Sequence, residues 1–89
     1  MRAIITVNAA DTVGIIASIS SYLAEHNVNI LDISQTIMQN YFVMIMLVDF
    51  EKSKIAFDAL KSGLTAMGEA QNLVIHVQRE DIFQAMHRI

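Results

Sequence analysis

Cysteine and proline are both absent from this chain of 89 residues, and glycine occurs only three times. Without cysteine there can be no disulfides, thiolate nucleophiles or cysteine-ligated metals, and a reducing cytoplasm is the expected location. Without proline, and with so little glycine, no flexible linker is expected, so the length predicts one small domain. The longest apolar run, residues 41–48, is too short to span a bilayer, and no signal peptide is recognisable.

Positive charge is also scarce, with six lysines and arginines and a net charge of −3. These basic residues are scattered and form no stripe for a phosphate backbone, so direct nucleic-acid binding is not expected. By contrast, 54% of the residues are apolar and only 17% are charged. A domain this small has a thin core, so part of that apolar surface is expected to pack against another copy of the chain. A homodimer is predicted, and further pairing into a tetramer is left open.

The first part of the chain predicts a strand, a helix and a connection. Residues 3–7 form a short segment rich in β-branched side chains, which favours a strand. Asp11 or Thr12 can cap a helix that runs to about His26, and Asn27 tolerates the left-handed conformation that follows a helix end. The buried stripe of this helix is expected at spacings of four: Ile15, Ile19 and Leu23.

The middle of the chain predicts a hairpin of two strands, residues 30–38 and 41–50, joined by a turn at Gln39 and Asn40. The first strand alternates and is predicted to be half-buried, with Gln35 the one polar residue on its apolar face. That apolar face consists of Leu31, Ile33 and Ile37. The second strand is apolar on both faces, with Tyr41, Val43, Ile45 and Leu47 on one and Phe42, Met44, Met46 and Val48 on the other.

The last part predicts a second helix, a fourth strand and a helical tail. Ser53 is expected to cap the helix and Gly68 to stop it, and the strand follows at residues 73–78. The helix stripe is Phe57, Leu60, Leu64 and Met67, and the inward residues of the strand are Leu73, Ile75 and Val77. The tail carries a stripe of Ile82, Phe83, Met86 and Ile89. This stripe predicts that the tail lies across the open sheet face and shields Phe42, Met44 and Met46.

The order βαββαβ predicts an α+β, ferredoxin-like fold, in which a four-stranded antiparallel sheet carries two helices on one face. Residues 1–80 would form this domain and residues 81–89 a short C-terminal helical tail packed on it.

Two short motifs suggest a binding site. Asp11, Thr12, Val13, Gly14 and Ile15 fall where the first strand turns into the first helix, and Asn27-Val28-Asn29-Ile30 where that helix leads into the second strand. A helix N-terminus can hold a carboxylate, and a short acid beside it can accept hydrogen bonds from an ammonium group. The motifs therefore favour a small amino acid as ligand. Structural roles stay open beside this one: Asp11 as a cap, Gly14 for close packing, and Asn29 as a turn residue.

With these motifs and this strand order, residues 3–78 resemble an ACT domain. More narrowly, the chain is similar to small stand-alone ACT proteins of bacteria and archaea, on the residues 32–36, 44–48 and 77–89. It is more distantly similar to ACT-type repressors of the glycine cleavage system. The resemblance implies a regulatory module, in which two chains join their sheets side by side and bind an amino acid between them.

The resemblance also implies which residues touch the ligand. Asp11, Thr12, Val13, Gly14 and Ile15 of one chain would meet Asn29 and Ile30 of its neighbour. Many relatives have proline where this chain has Val13. No output domain is visible, so regulation would act on a separate partner protein that the sequence does not name.

No enzymatic centre, metal site or cofactor is predicted. The three histidines, His26, His76 and His87, are far apart in sequence and have no acidic or thiolate partner at a recognisable spacing. The alternative to amino-acid sensing is a ligand-free oligomerisation or protein-interaction module, which would use the apolar sheet face and the tail.

Overall fold

The computed structural model describes residues 1–10 and 14–81, which contain four strands and two helices in the order βαββαβ. The elements are β1 (Arg2–Ala9), α1 (Ile15–Glu25), β2 (Asn29–Met38), β3 (Tyr41–Asp49), α2 (Phe57–Gln71) and β4 (Val74–Arg79). The strands form one sheet in the order β2-β3-β1-β4, and every neighbouring pair is antiparallel. The predicted ferredoxin-like α+β fold is confirmed.

One hydrophobic core lies between the sheet and the two helices. Successive side chains of a strand point to opposite faces, so alternate residues of each strand reach this core. The strands bury Ala3, Ile5, Val7, Ala9, Phe42, Met44, Met46, Val48, Ile75 and Val77. The helices bury Ile15, Ile19, Leu23, Leu60 and Leu64, which belong to the stripes that the sequence predicts.

Gly14 occupies the N-cap of α1 with a left-handed backbone at φ 76°. Asp11 and Thr12, either of which is predicted to cap this helix, lie outside the described residues. Ser53 is predicted to cap α2, but its hydroxyl instead accepts a hydrogen bond from the N–H of Ile55 (3.2 Å), in a turn before the helix, and this prediction is wrong. Serine competes for nearby backbone groups in this way wherever the chain turns.

The end of α1 follows the prediction. Asn27 is left-handed at φ 60°. The backbone N–H of Asn27 donates to the carbonyl of Ala24 (3.1 Å), and the backbone N–H of Val28 donates to the carbonyl of Leu23 (2.9 Å). This pair of hydrogen bonds satisfies two carbonyls that the helix end would leave free, and it turns the chain directly into β2.

The stop predicted at Gly68 is wrong, because α2 continues to Gln71 and the left-handed residue after it is Asn72, at φ 58°. Gly68 instead lets the helix approach β4. A Cβ built on Gly68 would lie 3.0 Å from the carbonyl oxygen of Leu73 and 3.1 Å from Cγ1 of Ile75. The glycine is therefore explained by close packing rather than by chain reversal.

Replacing Gly68 with alanine should destabilise the domain. Overpacking costs roughly 1–3 kcal/mol, which outweighs the gain of up to about 1 kcal/mol from placing alanine in a helix. We expect a net loss of about 1 kcal/mol in the free energy of unfolding, measured by urea denaturation at fixed protein concentration. Ser62→Ala, at an exposed position of the same helix, is the control and should be neutral or slightly stabilising. A Gly68→Ala variant as stable as this control would contradict the packing explanation.

β2 is the strand that departs most from expectation. The turn at Gln39 and Asn40 is confirmed, but β2 is not half-buried: Leu31, Ile33 and Ile37 are 44%, 38% and 69% exposed. The register places Ile33 and Ile37 on the same face as the helices, yet β2 is the edge of the sheet and extends beyond their cover. A register shift between Ile30 and Asp32 leaves Leu31 as a bulge.

The two faces of β3 have the composition that the sequence predicts, but the role predicted for the tail is wrong in one respect. Phe42, Met44 and Met46 lie beneath the helices and are buried there, so no tail is needed to shield them. The open face of the sheet carries the other row instead, including exposed Tyr41 and Ile45. Residues 82–89 of the predicted tail lie outside the described residues.

Candidate functional site

The first half of the candidate site is the N-terminus of α1. Gly14 is exposed, and a Cβ built on it would have no described neighbour within 4 Å. Its left-handed φ of 76° explains why glycine stands there, since other residues adopt this conformation at a cost. Ile15 is buried in the core and anchors the first turn of the helix. Asp11, Thr12 and Val13 lie outside the described residues.

The first turn of α1 offers backbone donors. The N–H groups of a first helical turn have no partner within the helix. In the described part of the chain no side chain caps the N-terminus of α1, and its first turn contains no acidic residue. The helical hydrogen bonds start with the one that the backbone N–H of Ser18 donates to the carbonyl of Gly14 (2.9 Å). This end of α1 therefore has both the donors and the partial positive charge that favour an anion.

The second half of the candidate site is the start of β2. Asn29 is exposed and pairs in register with Asp49 at the end of β3, whereas Ile30 is partly buried and packs against the core. An open cleft of about 520 Å³ adjoins Asn29. Its lining residues are Ala24, Asn27, Val28, Asn29, Asp49, Glu51 and Lys52.

Asp49 gives this second half a negative charge that the sequence analysis did not single out. The backbone N–H of Glu51 donates to its carboxylate (2.9 Å) and lowers the pKa of Asp49, with a further contribution from the N-terminal ammonium of Met1 at 3.4 Å. Asp49 is therefore ionised at neutral pH. Counting opposed residue pairs outward from the turn at residues 39 and 40 places Asp49 opposite the start of β2. The sequence therefore contains a signal for the position of Asp49.

A single chain does not bring the two halves together. Gly14 follows the end of β1 at Ala9, which pairs with Phe42 beside the hairpin turn. Asn29 pairs with Asp49, at the opposite end of the sheet. The 11 residues of α1 run between the two halves, a length of roughly 16 Å at 1.5 Å per residue. The two parts of the candidate site that the structure describes therefore lie at opposite ends of the sheet.

Within residues 1–10 and 14–81, no group of three or more histidine, aspartate or glutamate side chains could hold a metal ion. Over the same residues, neither helix is long and apolar enough to cross a membrane. His76 is exposed on β4, and His87 lies outside the described residues.

A four-stranded antiparallel sheet of order β2-β3-β1-β4 under two helices defines a ferredoxin-like α+β domain. A family model described as "ACT domain" matches residues 2–78. The chain belongs to the ACT domain family. Domains of this family are typically regulatory and bind amino acids.

The relatives include small proteins of both bacteria and archaea. A UPF0237 protein of Listeria innocua is 51% identical over 89 residues, which is 100% of both chains. A UPF0237 protein of Methanocaldococcus jannaschii is 53% identical over 88 residues, covering 99% of this chain and 98% of the relative. The narrower resemblance drawn from the sequence, to small stand-alone ACT proteins, is confirmed by these matches.

Solved structures agree with the fold. An ACT domain protein from Streptococcus pneumoniae superposes with a TM-score of 0.82 at 40% identity, covering 94% of each chain. A proposed glycine cleavage system transcriptional repressor gives a TM-score of 0.75 over 88% of this chain and 44% of that chain. At 19% identity this second likeness supports the shared fold alone.

Proposed function

We propose that the chain is a regulatory module that binds a small amino acid between two copies of itself and acts on a separate partner protein. The observation that carries the proposal is the separation of the two half-sites. Donors for a carboxylate lie at one end of α1, and the amide of Asn29, which would bridge the ligand to a second chain, lies at the other. A second copy would bring the partner subunit's Asn29 to the N-terminus of α1, and the same would hold for the other chain.

Antiparallel pairing of two β2 edges would complete both sites at once. β2 runs from Asn29 to Met38, and its far end lies beside the hairpin, at the same end of the sheet as Gly14. When two such strands pair antiparallel, the start of one lies beside the end of the other. The partner subunit's Asn29 would then approach the N-terminus of α1, and the two-fold symmetry would produce two equal sites.

The residues of the completed site would take different roles. Backbone N–H groups from Val13 to Ile15 would hold the carboxylate of the ligand. Asp11, with Thr12 beside it, would accept hydrogen bonds from the ammonium group. The partner subunit's Asn29 can both donate and accept, so its amide can bridge the ligand to the second chain. The partner subunit's Ile30 would form an apolar wall beside the ligand.

A ligand that bridges two chains couples its binding to the dimer. It stabilises the arrangement of subunits that it spans, and by linkage that arrangement binds the ligand more tightly. Occupancy can in this way change the surface offered to a separate protein. A ligand-free interaction module is the competing function, and the exposed apolar side chains of β2 would serve it equally well.

Thermal unfolding with each of the twenty amino acids at millimolar concentration tests the proposal. A ligand at a hundred times its dissociation constant adds about 2.7 kcal/mol, which should raise the Tm by about 10 °C or more for a domain of this size. We expect one or two amino acids to give this shift. Asn29→Ala should abolish it because the amide bridge is lost.

Asn8→Ala is the matched control. Asn8 is also exposed, but it alternates with the buried residues of β1 and therefore lies on the sheet face opposite the helices. Its shift should equal that of the unmodified chain. If no amino acid raises the Tm of a protein that is dimeric by light scattering, the ligand-free interaction module is the better function.

A further inference from the structure

Within residues 1–10 and 14–81, β2 pairs with β3 alone, and its outer edge carries backbone groups that no other described strand pairs. The backbone N–H of Ile33 donates to Oδ1 of the preceding residue, Asp32 (2.9 Å), and not to β3. In an antiparallel pair, successive residues direct their N–H and C=O groups alternately toward and away from the neighbouring strand. Ile33, Gln35 and Ile37 therefore direct theirs to the free edge.

The side chains of the same three residues form one row. They lie opposite Met46, Met44 and Phe42 of β3, so all three are on the helix side of the sheet. In the single chain they are exposed, including 38% of Ile33 and 69% of Ile37. Gln35 is the centre of this row, with an isoleucine two residues away on either side. The row is thus symmetric about Gln35.

A second copy of the chain fits this symmetry in one register. In an antiparallel pair related by a two-fold axis, residues equally far from the axis on either side oppose each other. With the axis through Gln35, Ile33 of each chain lies opposite Ile37 of the other chain. Gln35 lies opposite the partner subunit's Gln35. Moving the axis to Ser34 or Thr36 would oppose Gln35 to an isoleucine instead. Such a mismatch leaves an amide against an apolar side chain.

We propose that Gln35 fixes the register of the β2 pairing in the proposed dimer, with the two-fold axis passing through Gln35. A glutamine amide has both donors and an acceptor, so it can pair with its own copy across the axis. The backbone groups of Ile33, Gln35 and Ile37 then complete a hydrogen-bonded ladder with the same residues of the partner. The Asp32 contact to the Ile33 amide is the bond that this ladder replaces.

The register decides where the ligand site forms, and the inference rests here on the homodimer of the proposed function. Moving the axis by one residue slides the partner strand by two residues, or about 7 Å. The partner subunit's Asn29 would move by the same distance relative to the N-terminus of α1. Gln35 therefore acts on the site through the placement of the second chain. It is a positioning residue and not a ligand contact.

Disulfide cross-linking of the full chain tests the register, and the absence of native cysteine makes every cross-link attributable. The variants are Ile33→Cys, Ser34→Cys, Thr36→Cys and Ile37→Cys, all of which keep Gln35, oxidised singly and as mixed pairs and then separated on a non-reducing gel. Directly opposed residues lie about 5.5 Å apart at Cα, within disulfide reach. We expect Ile33→Cys to link with Ile37→Cys only in the mixture. The same holds for Ser34→Cys with Thr36→Cys. Adding Gln35→Ile to each variant should let links from other registers appear, and an unchanged pattern would mean that Gln35 does not fix the register.

Each other pattern overturns the register. Self-linking of Ile33→Cys or Ile37→Cys would move the axis to that residue, since the proposed axis keeps each of these pairs about 14 Å apart along the strand. Self-linking of Ser34→Cys or Thr36→Cys would place the axis at that residue. If no pair links although the protein is a dimer, β2 is not the interface. Amino-acid-dependent thermal shifts of the unmodified chain would still report separately on the proposed function.

Discussion

Replacing Phe42 with alanine should cost the domain most of its stability. Phe42 is among the largest fully buried side chains, at 2% exposure, and lies in β3 beneath the two helices. Removing a buried phenylalanine costs about 3–5 kcal/mol, because burial is lost and a cavity remains. Small domains have total stabilities of about 5–15 kcal/mol. We therefore expect a variant that is partly or wholly unfolded at 37 °C.

Urea denaturation followed by circular dichroism, at one protein concentration for all variants, measures this effect. The concentration must be fixed because dimer formation adds to the apparent stability. Val74→Ala is the control: it also removes methyl groups, but from a side chain that is 54% exposed on β4. Its effect should stay within about 0.5 kcal/mol. A Phe42→Ala variant as stable as this control would mean that the core is not centred on β3.

The sequence predicted the layout of the fold because hydrophobic periodicity is a local property. The alternation in β3 showed which side chains share a face, though not which face the helices cover, and the spacing of Ile15, Ile19 and Leu23 identified the buried side of α1. The left-handed position at Asn27 was also predictable, since few residues tolerate it. The predicted strand order then followed from general rules of chain connection.

The errors arose where tertiary context overrides local preference. Gly68 was a reasonable helix stop by sequence, but the approach of α2 to β4 is what requires a residue without a Cβ. Ser53 was a reasonable cap, but it closes a local turn. The burial of β2 was overestimated because alternation shows which side chains share a face and not how far the helices extend over that face.

The candidate site was only partly visible in the sequence. The motif at Gly14 and Ile15 marks a helix N-terminus, and the structure describes that terminus with no side-chain cap from residues 1–10 or 14–81. The separation of this motif from Asn29 depends on the direction of α1 against the sheet, which is a property of the whole fold. Asp49 was missed because it belongs to neither motif, although its register partner is Asn29.

Replacing Ile37 with aspartate should convert the dimer to a monomer. In the single chain Ile37 is 69% exposed, so a charge there should change the stability of the folded monomer by only about 0.5 kcal/mol. In the proposed dimer the same side chain lies against the partner subunit's Ile33. The two-fold axis repeats this contact, so each variant dimer would bury two unpaired carboxylates. Even 3 kcal/mol of lost association energy weakens a dimer more than a hundredfold.

Light scattering after size-exclusion chromatography, at concentrations where the unmodified chain is dimeric, should therefore give half the mass for Ile37→Asp. Circular dichroism should show an unchanged fold. Val74→Asp places the same charge on an exposed apolar position of the opposite edge strand, β4, and should stay dimeric. The reverse result would move the interface to β4. Because each half-site lacks its complement in a monomer, Ile37→Asp should also lose any amino-acid-dependent rise in Tm, although it alters neither Gly14 nor Asn29.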